Sequence, residues 1–478
     1  MLGGIKKFFF SFFYIEPEER LKVILLSVAF FLVIGGYSIA RELKNSVFIA
    51  IVGREYLGYA RIGVMVALMP LILLYSRLVD ILRRHQLLYF YSVLYGACGL
   101  IFAYFLGHPV IGFPNTDAGP HRLFGWFFYL FVEGYSPFVV SLLWAFANSV
   151  SNPRTASRYY PLMVASSKVG GILSTGIAWI LFTLLSNYPE RYMSGIHAHQ
   201  LLLAFSSFLL LLIPISIYLL MAWVPYKSLH GYEAAYQTDR QIDKERQAAE
   251  RKPLLQRLRV MIDGMFSGLV LFARQPYIFG IFCTIFFYET INVLFELQRL
   301  GVVKASSGSL EAFSAELFKQ IFFVHVAGWL IAMFCTKILL EKLGERNCLI
   351  LMPLSMAVLM GYFLFSYNVT AIFIVYVIFR AMNYGFAYPI REALYIPTVK
   401  DIKFKSKSWI DAFGAKMAKA TGASCSIVIE GMGPALFFTG HAMVFSFLIG
   451  LWIIASVLLG NRYVKAIENN EVIGETTV

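Results

Sequence analysis

Residues 23–50 read VILLSVAFFLVIGGYSIARELKNSVFIA. An apolar run leads straight into Arg41, Glu42 and Lys44 with no Pro or Asn-Gly turn signal between them, so one helix carries both parts. The stretch exceeds the roughly 20 helical residues that cross a bilayer core. Each ionisable side chain at that depth costs a few kcal/mol, about 2.5–3.5 on insertion scales, and it is kept where it faces a partner or a water-filled cavity. The segment therefore reads as a membrane span with a working end.

The rest of the chain has the same character. Its 478 residues are 59% hydrophobic and 17% aromatic, and only 14% are charged, more apolar surface than a soluble protein of this size can hide. The fold class is all-α: a polytopic membrane protein of about 12 transmembrane helices. Spans are expected near 22–50, 57–79, 86–107, 123–149, 159–185, 199–224, 276–298, 315–340, 347–367, 369–394, 409–431 and 434–460. The widest gap separates six spans from six. It gives an N-terminal bundle at 1–224, opened by a short interfacial segment, a central loop at 225–275, and a C-terminal bundle at 276–478 with a short tail. The start lacks a small-residue cleavage site, so no signal peptide is expected, and no Ser/Arg-rich transit peptide either.

Eight Lys and Arg lie in 225–263 and four Lys in 400–407, whereas 108–121 and 432–441 have none and 186–198 has Arg191 alone. This asymmetry places both termini and the central loop in the cytoplasm. Most of the net charge of +13 is thus a topology signal, and nucleic acid is not an expected partner. The five cysteines stand singly without metal-ligand spacing, so they read as packing, and no metal or cofactor is expected.

An internal repeat supports two halves. SRLVDILRR (76–84) follows span 2 and TKILLEKLGER (336–346) follows span 8, each setting an acid against basic residues a few positions later. Both resemble the Gly-x3-Asp-Arg-x-Gly-Arg loop of the major facilitator superfamily, with Gly344 surviving and the leading Gly missing. The resemblance implies two pseudo-symmetric six-helix bundles with substrate bound between them near the midplane.

Further charges fall inside spans: Arg61, Glu133, Lys168, Glu289, Glu296, Arg299, Arg380, Arg391, Glu392, Asp411, Lys416, Lys419 and Glu430. Arg391, Glu392 and Asp411 also fit cytoplasmic helix ends, where snorkelling is cheap. Glu42 is equally able to pair with Arg41, Lys44 or Arg61 and fix packing. Glu133, ten residues inside an apolar run, reads as functional. The deep cations Arg41, Lys44, Arg61, Lys168, Lys416 and Lys419 outnumber the deep acids, and a cavity lined this way attracts phosphate or carboxylate. His325 and His441 read as packing or pore residues.

AYPIREALYIPTV (387–399) is similar to the Asp-Pro-Thr-Lys-Glu-x-x-Tyr-Ile-Pro-Leu run of the nucleotide transporter (ATP/ADP translocase) family of plastids and intracellular bacteria. RELKNSVF (41–48), PLILLYSRL (70–78), EGYSPFVVSLLWAFANSVSNPRTASRYYPL (133–162) and KSWIDAFGAKMAKATGAS (407–424) resemble further segments of that family in the same order. The chain departs from it at Asn45 and Tyr388, where the family has Asp, and at AKATG (418–422), where it has Gly-Lys-Ser-Gly-Gly. The resemblance implies transport by alternating access, ATP/ADP exchange first, in a bacterial inner membrane. Carried over by motif, it implies Lys44, Glu133, Glu296 and Lys419 as transport residues, with Asn148, Arg391 and Glu392 inside matched runs. Arg41, Lys168 and Arg61 complete the expected substrate-binding set.

The expected partners are a nucleotide, the lipid bilayer and, if a carboxylate in the cavity takes up a proton, protons as coupling ion. A monomer is expected. The alternatives are a proton-coupled nucleotide symporter and a transporter of another organic anion. A membrane-embedded enzyme is disfavoured: the sequence has no His-Glu-x-x-His, no Gly-x-Ser-x-Gly and no Walker-type phosphate loop.

Overall fold

The computed structural model describes residues 16–150, 153–188, 194–225, 229, 274–395, 397–398, 406–407, 410–433, 436–469, 471 and 473. The interfacial N-terminal segment and almost all of the basic central loop lie outside these.

Among the described residues the chain is helical, with one isolated bridge between Thr398 and Ile473. Helix α1 (Pro17–Ile51) opens with Pro at its first turn and runs unbroken through Arg41–Lys44, as the opening stretch predicts. Next come α2 (Leu57–Ile81), α3 (Arg84–Leu106) and α4 (Leu123–Tyr135). The last passes through a wide π turn at Ser136–Val140 into Ser141–Val150. Helices α5 (Pro153–Asn187) and α6 (Gly195–Trp223) complete the first set. The second comprises α7 (Pro276–Ser306), α8 (Leu310–Leu330), α9 (Thr336–Ser366), α10 (Val369–Met382), α11 (Ala415–Gly431) and α12 (Phe437–Glu468). Gly344, the glycine of the loop motif, takes φ 71° and breaks α9 in two, a conformation that favours a residue without Cβ.

Ten segments among the described residues are long and apolar enough to cross a membrane, and α2 and α11 occupy the places of the second and eleventh expected spans. Val358 and Phe365 on α9 keep 74% and 92% of their surface exposed, which is sensible only against lipid.

The chain forms two compact units. Unit 1 holds residues 1–53, 68–251 and 309–325; unit 2 holds 54–67, 252–308 and 326–478. In unit 1, α1 packs on α5 and α6, and α3 packs on α6. In unit 2, α7 packs on α11 and α12, and α9 packs on α12. Adding six to each helix number of the first pattern gives the second, which is the internal repeat expressed as packing.

Small residues make the closest approaches in each unit. A Cβ on Gly170 of α5 would lie 2.4 Å from the Phe31 carbonyl oxygen of α1, and one on Gly422 of α11 would lie 2.5 Å from that of Thr290 on α7. Lipid offers no hydrophobic drive between helices, so such contacts and interhelical hydrogen bonds supply the attraction. Accordingly Ser166, Ser206 and Ser216 donate to the α1 carbonyls of Ser27, Gly36 and Leu25 at 2.8–2.9 Å. In unit 2 Tyr277 donates to the Leu394 carbonyl at 2.7 Å, and Leu394 and Tyr395 sit in the core, so the start of the Tyr-Ile-Pro run is a packing element.

Candidate functional site

Charged side chains gather at one centre in each unit. In unit 1, Lys44 of α1 donates to Glu133 of α4, three residues before the π turn. The ammonium also lies 4.5 Å from the centre of the Tyr129 ring. Both partners are largely buried, at 7% and 16% side-chain exposure, so each charge depends on the other for solvation. One turn away, Arg41 Nε is 3.7 Å from the carboxylate of Glu42, which is wholly buried. Arg41 is one of the three partners the sequence allows Glu42. Lys168, on α5, is buried in the same unit. Asn45 is also buried, and its side-chain amide hydrogen-bonds no described residue.

In unit 2 the centre is Glu296 of α7. Arg380 of α10 donates to its Oε2 at 3.2 Å, Arg61 of α2 approaches the same oxygen at 3.5 Å, and Arg299 lies 4.0 Å from Oε1. Arg299 is fully buried and stacks 3.9 Å from the centre of the Tyr376 ring. Arg61 also donates to the Val293 carbonyl, and Arg380 to the Tyr384 hydroxyl at 3.2 Å. Three guanidinia around one carboxylate leave the cluster with excess positive charge, and guanidinium groups are suited to phosphate oxygens.

The two centres correspond. Arg380 stands three residues before the π turn at Asn383–Ala387 in α10, as Glu133 stands before that of α4. Each pairs with the first helix of its set, and the signs are exchanged: cation on α1 and anion on α4, anion on α7 and cation on α10. A π turn widens the helix by one residue and recurs at functional sites.

Among the other expected residues, Lys419 of α11 is half-buried in unit 2. Arg391 donates to the Asn383 side chain at 2.9 Å and faces the Tyr288 ring, so it braces the π turn of α10. Of Asn148 and Glu392 the backbone alone is described. Sequence reading counted Arg299 and Arg380 as membrane charges without assigning them to the site. Their signal is residue type and depth; their convergence on Glu296 comes from the fold. No cluster of potential metal ligands occurs among the described residues.

The family model described as TLC ATP/ADP transporter matches residues 3–118 and 123–463. ADP,ATP carrier protein 5 of Rickettsia prowazekii (strain Madrid E) is 21% identical over 500 residues, covering 94% of this chain and 95% of that protein. ADP,ATP carrier protein 1 of Chlamydia pneumoniae is 23% identical over 523 residues, covering 96% and 95%. Among solved structures, a major facilitator superfamily proton:xylose symporter superposes with TM-score 0.60 at 14% identity over 96% of this chain and 98% of that one. A bacterial homologue of the iron transporter ferroportin, in the inward-facing state, gives 0.57 at 12% over 93% and 98%. The structural likeness carries the fold, and the family match covers nearly the whole chain. This multi-pass membrane protein, with its major-facilitator-like fold, therefore belongs to the TLC ATP/ADP transporter family.

Proposed function

We propose that the protein exchanges ATP and ADP across a bacterial inner membrane by alternating access, as a monomer with both termini in the cytoplasm. The observation that supports this reading is the Lys44–Glu133 pair: two motif residues, 89 positions apart, joined by a direct ion pair. A buried pair is stable as a pair and costly when one partner leaves, about 3–5 kcal/mol. An incoming polyphosphate replaces the carboxylate on the cation and makes the exchange of partners feasible. The Glu296 centre works in the same sense, with Arg61, Arg299 and Arg380 as its cations and Lys419 in the same unit. Arg41 and Lys168 extend the cationic surface of unit 1. A Lys44–Glu133 pair that balances its own charges, and whose cation is taken over by phosphate on loading, favours exchange over net uptake.

The test is uptake of labelled ADP by purified protein in liposomes preloaded with ATP. Uptake that requires internal nucleotide is expected. Uptake driven by a proton gradient into empty vesicles assigns symport instead, and transport that no nucleotide competes for removes the nucleotide assignment.

A further inference from the structure

Exchange by the two centres leaves His325 without a task. It is carried by α8, belongs to unit 1 and is only 5% exposed. The other two buried histidines in described helices place Nδ1 on the carbonyl four residues earlier, His199 on Gly195 at 2.7 Å and His441 on Phe437 at 2.9 Å. His325 does not. Its Nε2 instead lies 2.9 Å from the Ser38 hydroxyl of α1, and its Nδ1 hydrogen-bonds no described residue.

The placement is built by the neighbouring helices. A Cβ on Gly171 of α5 would fall 2.6 Å from Cε1 and Nε2 of the ring, so that glycine is what admits the imidazole. Arg41 follows Ser38 by three residues, and Lys168 precedes Gly171 by three, one helical turn in each case. Both cations lie within electrostatic reach of the ring. The carboxylate of Glu42 lies 3.7 Å from Arg41. Three helices thus bring two cations and a buried imidazole nitrogen to one place.

We propose that Arg41, Lys168 and His325 form an oxyanion site in unit 1 that binds a phosphate group, with His325 donating from Nδ1. Ser38 donates its hydroxyl to Nε2 and so keeps the proton on Nδ1; it is a positioning residue. The two ring nitrogens of an uncharged imidazole take opposite hydrogen-bond roles, and the partner of one sets the other. An uncharged donor adds a hydrogen bond without adding to the repulsion between Arg41 and Lys168. Only the identity of the phosphate's bearer rests on the nucleotide reading; the site itself stands on the residues above.

The experiment measures thermal stabilisation of the purified full-length protein in detergent by pyrophosphate and, separately, by ADP. Asn places its amide donor where Nδ1 lies, and Gln places it where Nε2 lies. His325→Gln is expected to weaken the apparent affinity for both ligands about tenfold, the loss of one hydrogen bond to a charged group. His325→Asn is expected to stay within about threefold of the wild type. Equal melting temperatures of the two unliganded variants exclude a packing effect. Ser38→Ala, which leaves the ring in place, reads the same site if neither histidine variant folds, with a loss of about threefold expected. Unchanged affinity in His325→Gln or Ser38→Ala, equal losses in the Asn and Gln variants, or a wild type that neither ligand stabilises overturns the site. Stabilisation by pyrophosphate that sorts the variants in this way, without any by ADP, keeps the site and removes the nucleotide reading. Stabilisation by ADP that is equal in every variant does the reverse.

Discussion

Arg299 is a fully buried arginine in a membrane helix, tolerable because the Tyr376 face and the Glu296 carboxylate lie against it. The same reasoning makes Lys44 and Glu133 the sharpest residues to test. Removing one partner of a buried pair leaves the other charge uncompensated, whereas removing both does not. Lys44→Met and Glu133→Gln are each expected to lower stability by about 3–5 kcal/mol and to reduce ADP exchange at least tenfold. The double variant should be less destabilised than the sum, as read in thermal unfolding, and equally inactive in liposomes. Lys44 stands out in the sequence through motif resemblance and Glu133 through its depth as well, but the 88 residues between them hide the contact. Arg380 is 84 residues from Glu296 and lies in no matched motif, so the sequence shows its charge but not its destination.

Helices meet here through absent side chains. Gly170 and Gly422 have no room for a Cβ against a backbone carbonyl, and a backbone cannot step aside as a rotamer can. Gly170→Ala and Gly422→Ala are each expected to destabilise by about 1–3 kcal/mol through overpacking. Gly361→Ala on α9, where nothing lies within 4 Å, should be neutral or stabilising by up to about 1 kcal/mol. Thermal unfolding of the three variants in one detergent separates packing from helix propensity. Glycines are visible in the sequence, but 17% aromatic and 59% apolar content hides which helix faces meet. Period-based reading loses its grip when lipid-facing and buried positions are equally apolar.

At the scale of the molecule, the apolar helices were legible from hydropathy, because a bilayer demands helices of a fixed length. The shift-by-six packing pattern was not, since it relates helices through contacts that no local run encodes. Orientation is a matter of charge asymmetry and is open to a direct check. A single cysteine at Arg240 should react with an impermeant thiol reagent only from the cytoplasmic side, and one at Thr116 only from the other. The measurement uses whole cells and inverted vesicles, with the five native cysteines replaced by serine. Labelling of both positions from one side would contradict the charge rule.

The π turns at Ser136–Val140 and Asn383–Ala387 bear on how such sequences are compared. A turn one residue too wide advances every later side chain by about 100° around the axis, so positions on either side do not share one helical wheel. Spacing-based alignment of α4 with α10 is trustworthy up to Glu133 and Arg380 and slips beyond them unless both carry the same extra residue. Because both do, the two halves can be overlaid across the turn without a gap. In a relative that has lost one of the turns, a one-residue deletion should fall there, where it restores an ordinary helix rather than breaking one.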